Sequence, residues 1–183
     1  MVHMVVGPEP AQDPQPILRP VERRDGEAIR RIYNAEVLGS TATFDLRPRT
    51  PEEQDRWVAE HLGAYPAVVV ELEGQVAGFA SVSPYRRRPA YATTVEDSVY
   101  VAAGFRGRGL GRLLLQDLLE RSARHGFHVV LARIEASNRA SVALHERCGF
   151  EQVGLEREVG RKFGRWLDVC VLERLLEQSL PGH

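Results

Sequence analysis

The spacing of apolar residues changes repeatedly along this chain, and each change marks an element. Residues 17–21 read as a short strand. Ala28, Ile29, Ile32, Tyr33 and Val37 then recur at helical spacing behind Asp25, which is read as the helix cap. Thr50-Pro51-Glu52-Glu53 carries three signs of a second helix start: a capping hydroxyl, a proline where the missing N–H is not needed, and carboxylates near the positive end of the dipole. That helix is predicted to end near Gly63. Two β-rich runs, 67–72 and 76–82, flank Glu73-Gly74-Gln75, the pattern of a hairpin.

Residues 94–101 read as a strand, and a long helix follows over about 109–125. Its Leu110, Leu113, Leu114 and Leu118 form a stripe, Asp117 with Arg121 and Glu120 with Arg124 are spaced as ion pairs, and Gly126 supplies the stop. A continuous apolar run, 129–134, is a buried strand. Asn138 opens another helix with Ala140, Leu144 and Cys148 expected as its inner stripe and His145 beside it. The last strands are expected at 150–153 and 166–172. The order β-α-α-β-β-β-α-β-α-β-β, with strand–helix–strand units around 95–135 and 129–153, argues for a partly parallel sheet packed by helices.

Residues 1–16, with Pro8, Pro10, Pro14 and Pro16 among polar residues, read as a disordered tail, and 17–183 as one domain. With 43% hydrophobic and 27% charged residues, the 183-residue chain has the composition of a globular protein. Its 24 basic and 25 acidic residues leave a net charge of -1, which gives no global field for nucleic acid or an anionic membrane. No apolar run approaches the roughly 20 residues of a membrane span, and the N-terminus lacks the pattern of a secretory signal. Two cysteines, Cys148 and Cys170, suit reduced thiols in a cytoplasm better than a disulfide framework.

The richest chemistry lies in Arg106-Gly107-Arg108-Gly109-Leu110-Gly111, between a strand and a helix start. Glycines allow a tight turn and close backbone approach, and the helix start offers unpaired N–H groups to an anion. Arg106, Arg108 and Arg112 add charge suited to phosphate oxygens. A Walker loop would need Gly-Lys-Ser/Thr, and a dinucleotide loop would need a glycine where Arg112 stands, so both fit poorly. His125 and His128 lack a second ligand pair for a metal.

With that loop, and with Asn138 to Phe150 reading NRASVALHERCGF, the chain resembles the GNAT superfamily of N-acetyltransferases. Arg106, Gly109 and Gly111 match the Q/R-x-x-G-x-G/A signature. Within the superfamily it is similar to the phosphinothricin and methionine sulfone or sulfoximine acetyltransferases, through Ser40 to Phe44, Glu96 to Val101, His145-Glu146 and Gly160 to Val169. The resemblance spans roughly 17–175. It implies an α/β GNAT acyl-CoA N-acyltransferase fold: a mixed twisted sheet, helices on both faces and a splayed central strand pair. It implies acetyl-CoA as co-substrate, held by Val99, Tyr100, Val101, Arg106, Gly107, Arg108, Gly109, Leu110, Gly111 and Asn138. It further implies a homodimer; no metal is expected.

Acetyl transfer to an amine needs a base for the ammonium and a proton for the departing thiolate. An α-amino group near pKa about 8 and a glutamate near about 4.3 are mismatched by roughly 5 kcal/mol, whereas histidine at about 6.5 is mismatched by about 2 kcal/mol. Intrinsic pKa therefore favours His145 as base, while the resemblance points to Glu96. Strand parity puts Glu96 with Ser98 and Tyr100; a β-bulge would exchange it for Asp97. His145 stands where many relatives place an acidic tyrosine, so both residues are assigned to catalysis with the direction of transfer open. Arg86, Arg88 and Tyr91 align with the family's substrate contacts, Phe44 would form an apolar wall, and Lys162 is a lesser candidate. The expected function is acetylation of a small amino-acid analogue. The rivals are an enzyme for peptide N-termini, polyamines or antibiotics, and a CoA-binding regulatory module.

Overall fold

A computed structural model describes residues 14–176. Most of the expected tail, residues 1–13, and the chain after 176 lie outside the described residues. Residues 14–16 lead without regular structure into β1.

Eleven helices and strands follow the expected order: β1 (Ile17–Pro20), α1 (Gly26–Gly39), α2 (Pro51–His61), β2 (Ala67–Leu72), β3 (Gln75–Pro84), β4 (Thr94–Val101), α3 (Leu110–Arg124), β5 (Val129–Glu135), α4 (Arg139–Arg147), β6 (Glu151–Lys162) and β7 (Arg165–Leu175). The strands form one sheet in the order β1-β2-β3-β4-β5-β7-β6. Only β4 and β5 are parallel. Continuous apolar sequence in β2 means burial on both faces. Val68 and Val70 pack with α3, whereas Val69 packs with α1 and α2. The helices thus cover both faces, α1 and α2 on one and α3 and α4 on the other.

Local chemistry explains the ends. Thr50 Oγ1 accepts from Glu53 N at 3.2 Å while the Glu53 carboxylate accepts from Thr50 N at 2.9 Å, a reciprocal box that starts α2. Glu73 and Gly74 take left-handed φ of 55° and 73°, as a two-residue hairpin turn requires. In α3 the Asp117–Arg121 pair forms at 2.6 Å, but Arg124 donates to the Glu120 carbonyl instead of its carboxylate.

Three further expectations need correction. Asp25 makes no side-chain cap to α1; its carboxylate takes two hydrogen bonds of 2.7 Å from Arg19 and one of 2.8 Å from Glu22 N, capping the 3-10 turn before the helix. The strand expected at 150–153 runs through Lys162, because register shifts near Gly154 and between Glu156 and Gly160 break its alternation. The buried residues of α4 are Val142 and His145, while Ala140 is exposed. His145 therefore lies on the inner stripe, not beside it.

Candidate active site

Strands β4 and β5 pair over three positions only, Thr94↔Val129, Val95↔Val130 and Glu96↔Leu131. Beyond them β4 stays with β3 as far as Val101, and β5 stays with β7 as far as Glu135. The strands fork, and backbone groups on the facing edges are left without a strand partner.

Three cavities line up along this fork. A groove of about 690 Å³ runs between the end of β4, the start of α3 and α4. A small cavity of about 70 Å³ sits at the fork itself and is lined by Asp97, Ser98, Ser141 and His145. A pocket of about 510 Å³ opens on the α1/α2 side, walled by Tyr33, Phe44, Trp57, Phe79 and Tyr100 with Glu96 at its edge. Ala42, Tyr100 and Glu135 border all three, so the spaces adjoin.

Thr41 to Asp45 form a strap across the fork. Thr41 Oγ1 donates to Glu135 at 2.9 Å, and Tyr33 Oη donates to Asp45 at 2.6 Å. Lys162, buried, donates to the Thr43 carbonyl at 2.8 Å. Burial pushes the Lys162 ammonium pKa down, against the pull of Asp45 and Glu36. Its place is under the strap. Glu135 also accepts from Ser137 N and Oγ at 3.0 and 2.6 Å. Burial pushes the Glu135 pKa up, but these bonds and Thr41 outweigh it, and the carboxyl stays below its ordinary range.

The glycine loop closes one end of the groove. Gly107 and Gly109 adopt φ of 77° and 78°, and Gly109 leads directly into α3. Val99, Tyr100, Val101, Arg106, Gly107, Gly109, Leu110, Gly111 and Asn138 all line the groove; Arg108 does not, and pairs with Glu73 at 2.9 Å. Arg106 donates to the Val101 carbonyl at 3.1 Å and also meets Glu36. Arg112 and Arg147 line the groove as further cations. A β-carbon on Gly111 would press Leu144 at 3.2 Å, so the missing side chain keeps α3 and α4 close. Asn138 caps α4 by accepting from Ser141 N at 3.2 Å.

The β3–β4 register runs without a shift, so Glu96 and Asp97 point to opposite faces. Glu96 faces the α1/α2 pocket. Its pKa is raised, chiefly by burial and further by Asp97 and Glu156, with Arg133 opposing. Asp97 bonds His145 Nε2 at 2.9 Å, and His145 Nδ1 donates to the Ser141 carbonyl at 2.7 Å. Burial lowers the His145 pKa, but Asp97 and Ser141 outweigh it and the net shift is upward.

Phe44 stands in the pocket wall. Arg86, Arg88 and Tyr91 do not line it; Arg86 and Arg88 are exposed, and Arg86 stacks on Tyr85 with 4.8 Å to the ring centre. The pocket instead holds Arg49, set 3.6 Å over the Tyr33 ring, and His61, stacked on Trp57. Burial lowers the His61 pKa, and its Nδ1 donates to the Trp57 carbonyl at 2.7 Å. Arg49, Trp57 and His61 carry no local motif; the packing of α2 against the sheet brings them here. Among the described residues no cluster of three or more His, Cys, Asp or Glu is placed to hold a metal, both cysteines are free and buried, and no helix is long and apolar enough to cross a membrane.

Residues 27–150 match the family model described as the acetyltransferase (GNAT) family. The chain is 45% identical over 163 residues to a phosphinothricin N-acetyltransferase of Streptomyces coelicolor, covering 87% of this chain and 95% of that one. It is 39% identical to the L-methionine sulfoximine/L-methionine sulfone acetyltransferase of Salmonella typhimurium, covering 88% and 95%. A GNAT superfamily phosphinothricin acetyltransferase from Sinorhizobium meliloti, solved in complex with AcCoA, superposes with a TM-score of 0.86 at 36% identity, covering 92% of each chain. The Salmonella typhimurium protein yncA, solved with its cofactor acetyl-CoA, gives 0.87 at 36% identity, covering 92% and 98%.

Proposed function

Because the chain belongs to the GNAT acetyltransferase family, we propose that it transfers acetyl from acetyl-CoA directly to the amine of a small amino-acid analogue of the phosphinothricin, methionine sulfone or methionine sulfoximine type. One observation carries this reading: the fork sets a half-buried carboxylate, Glu96, in the lining of an aromatic pocket that adjoins the glycine-loop groove.

The groove suits acetyl-CoA. Its backbone turn has the left-handed glycines and helix start that seat a diphosphate, and β4 beyond Glu96 offers unpaired main chain to an extended amide-bearing arm. Arg106, Arg112 and Arg147 would face the phosphates, Asn138 the reactive end. When bound, acetyl-CoA supplies an activated acyl group and a thiolate leaving group.

Glu96 is assigned as the base. A raised pKa narrows its mismatch with an ammonium, and a base nearer the amine in pKa removes the proton at smaller cost. His145 is assigned as the acid. Its Nδ1 donates to the Ser141 carbonyl and its Nε2 lies 2.9 Å from the Asp97 carboxylate, a neighbour that favours the protonated ring. Phe44, Trp57 and Tyr33 would hold the acceptor's apolar part. The assignment of Arg86, Arg88 and Tyr91 to the acceptor rests on the likeness of their loop to the family's; Arg49 and Arg133 are the cations that border the pocket.

We also place the enzyme in the cytoplasm, where the buried thiols stay reduced, and as a homodimer. In support of the dimer, Val153, Leu155, Val159, Phe163 and Trp166 expose apolar side chains on the β6/β7 hairpin at one edge of the sheet.

The test is thiol release from acetyl-CoA by the full chain with phosphinothricin, methionine sulfone, methionine sulfoximine, free amino acids, a polyamine and a peptide. Release is expected with the three analogues. Release confined to the peptide or polyamine, or none despite CoA binding, overturns the reading.

A further inference from the structure

Glu96 and Asp97 are neighbours on opposite faces of β4. Both line the pocket on the α1/α2 side, but the Asp97 side chain is 2% exposed and meets a His145 side chain that is 4% exposed. Asp97 and His145 are 48 apart in sequence, one on β4 and one on α4, and the 2.9 Å bond between them ties the helix to the strand beside the fork.

We propose that Asp97 is a positioning residue for acetyl transfer, holding His145 with both ring nitrogens protonated and Nε2 directed at the fork. This rests on the assignment of His145 as the acid.

The hydrogen-bond geometry carries the inference. A backbone carbonyl only accepts, so the 2.7 Å contact to Ser141 fixes a proton on Nδ1. An ionised carboxylate also only accepts, so Asp97 fixes one on Nε2. Phe150 packs edge-to-face on the ring at 5.0 Å. Burial alone would drive this imidazole neutral, and a neutral ring with its Nδ1 proton on Ser141 would turn a lone pair towards Asp97. The carboxylate reverses that preference. Among the described residues, Asp97 is the one acid within ion-pair distance of His145. The other ionisable groups nearby are Glu96 and Tyr100 on β4, Arg133 and Glu135 on β5, Arg112 on α3, Cys148 at the end of α4 and Arg174 on β7.

Asp97 and His145 both border the cavity of about 70 Å³ between groove and pocket, large enough for water. Proton release there breaks the Nε2–H bond and forms the S–H bond of the departing thiolate, directly or through that water. The ring is left neutral with Nδ1–H still on Ser141 and an Nε2 lone pair facing the Asp97 carboxylate, an arrangement that solvent relieves by returning the proton before the next turnover.

Two measurements on the full chain decide the matter. Nitrogen-15 NMR of the His145 ring needs no turnover: it should show a doubly protonated ring at pH 7, and in Asp97→Asn a neutral ring protonated at Nδ1. In the pH profile of kcat, Asp97→Asn should move the alkaline limb down by about 1–3 pH units, with KM for acetyl-CoA unchanged and Asp97→Glu restoring part of the shift. A neutral ring at pH 7 in the unaltered protein overturns the proposal, and so does a limb that Asp97→Asn leaves in place. A purely structural Asp97 would lower Tm without moving the limb. Absence of acetylation with every acceptor would overturn the proposed function, while the NMR result still decides the state of the ring.

Discussion

Gly160 on β6 and Phe44 on the strap are in contact so close that a β-carbon on the glycine would lie 2.2 Å from Phe44 Cε2. The aromatic wall of the pocket on the α1/α2 side is therefore set by a missing side chain on a distant strand. Gly160→Ala should push the ring aside and raise KM for the acceptor by about 5-fold or more, the scale of a modest overpacking cost. KM for acetyl-CoA should not change. Initial-rate kinetics with each substrate varied in turn checks this, and an equal rise in both constants would disconnect Phe44 from the acceptor.

Glu96→Gln should lower kcat by about 10²–10⁴-fold, the usual contribution of a positioned base. Acetyl-CoA affinity should be retained. Stability should move the other way. The native pKa of Glu96 is raised, so its ionised form is disfavoured by the fold and stability declines as pH rises past the ordinary glutamate value. The amide has no such penalty. Thermal denaturation should show Gln above Glu in Tm at pH 7 and the gap closing near pH 4.

Gly109→Ala should weaken acetyl-CoA binding by about 5–30-fold, because a side chain at φ 78° costs about 1–2 kcal/mol in the left-handed region. Calorimetric titration with CoA measures it. An unchanged affinity would move the diphosphate away from this turn.

The Asp97–His145 pair predicts a pH dependence of opposite origin to acid denaturation. The folded-state pKa of His145 is raised, so its contribution to stability is fully present below about pH 6.5 and is lost as pH rises through the native value. Urea midpoints should fall across that window in the unaltered protein. The fall should flatten in His145→Gln, and an equal slope in both would assign it to another group.

The sequence displayed the architecture because period and punctuation agreed: the leucines of α3, the Thr50 box and the Glu73-Gly74 turn each act within a few residues. The groove was legible for the same reason, since Gly107, Gly109 and Gly111 sit in one continuous segment. The pocket on the α1/α2 side was not. Phe44, Arg49, Trp57 and Glu96 meet only once the strap and α2 pack on the sheet. Length misled at β6, where two register shifts hid a 12-residue strand behind glycines and charges. Polarity misled at His145: a ring expected beside the apolar stripe is buried because Asp97, on another element, makes burial tolerable. Arg108 looked like its neighbours and turns away because Glu73, from the β2–β3 turn, captures it.

The early parting of β4 from β5 also makes the sheet a structure its own chain does not finish. Main-chain amides from Asp97 to Val101 that face the gap depend on solvent until a visitor with amides of its own lies between the strands. Occupancy should then slow their exchange with deuterated water. The melting temperature should climb with the logarithm of free CoA concentration above its dissociation constant. A cell well supplied with this carrier would, on these grounds, also keep more of the enzyme folded.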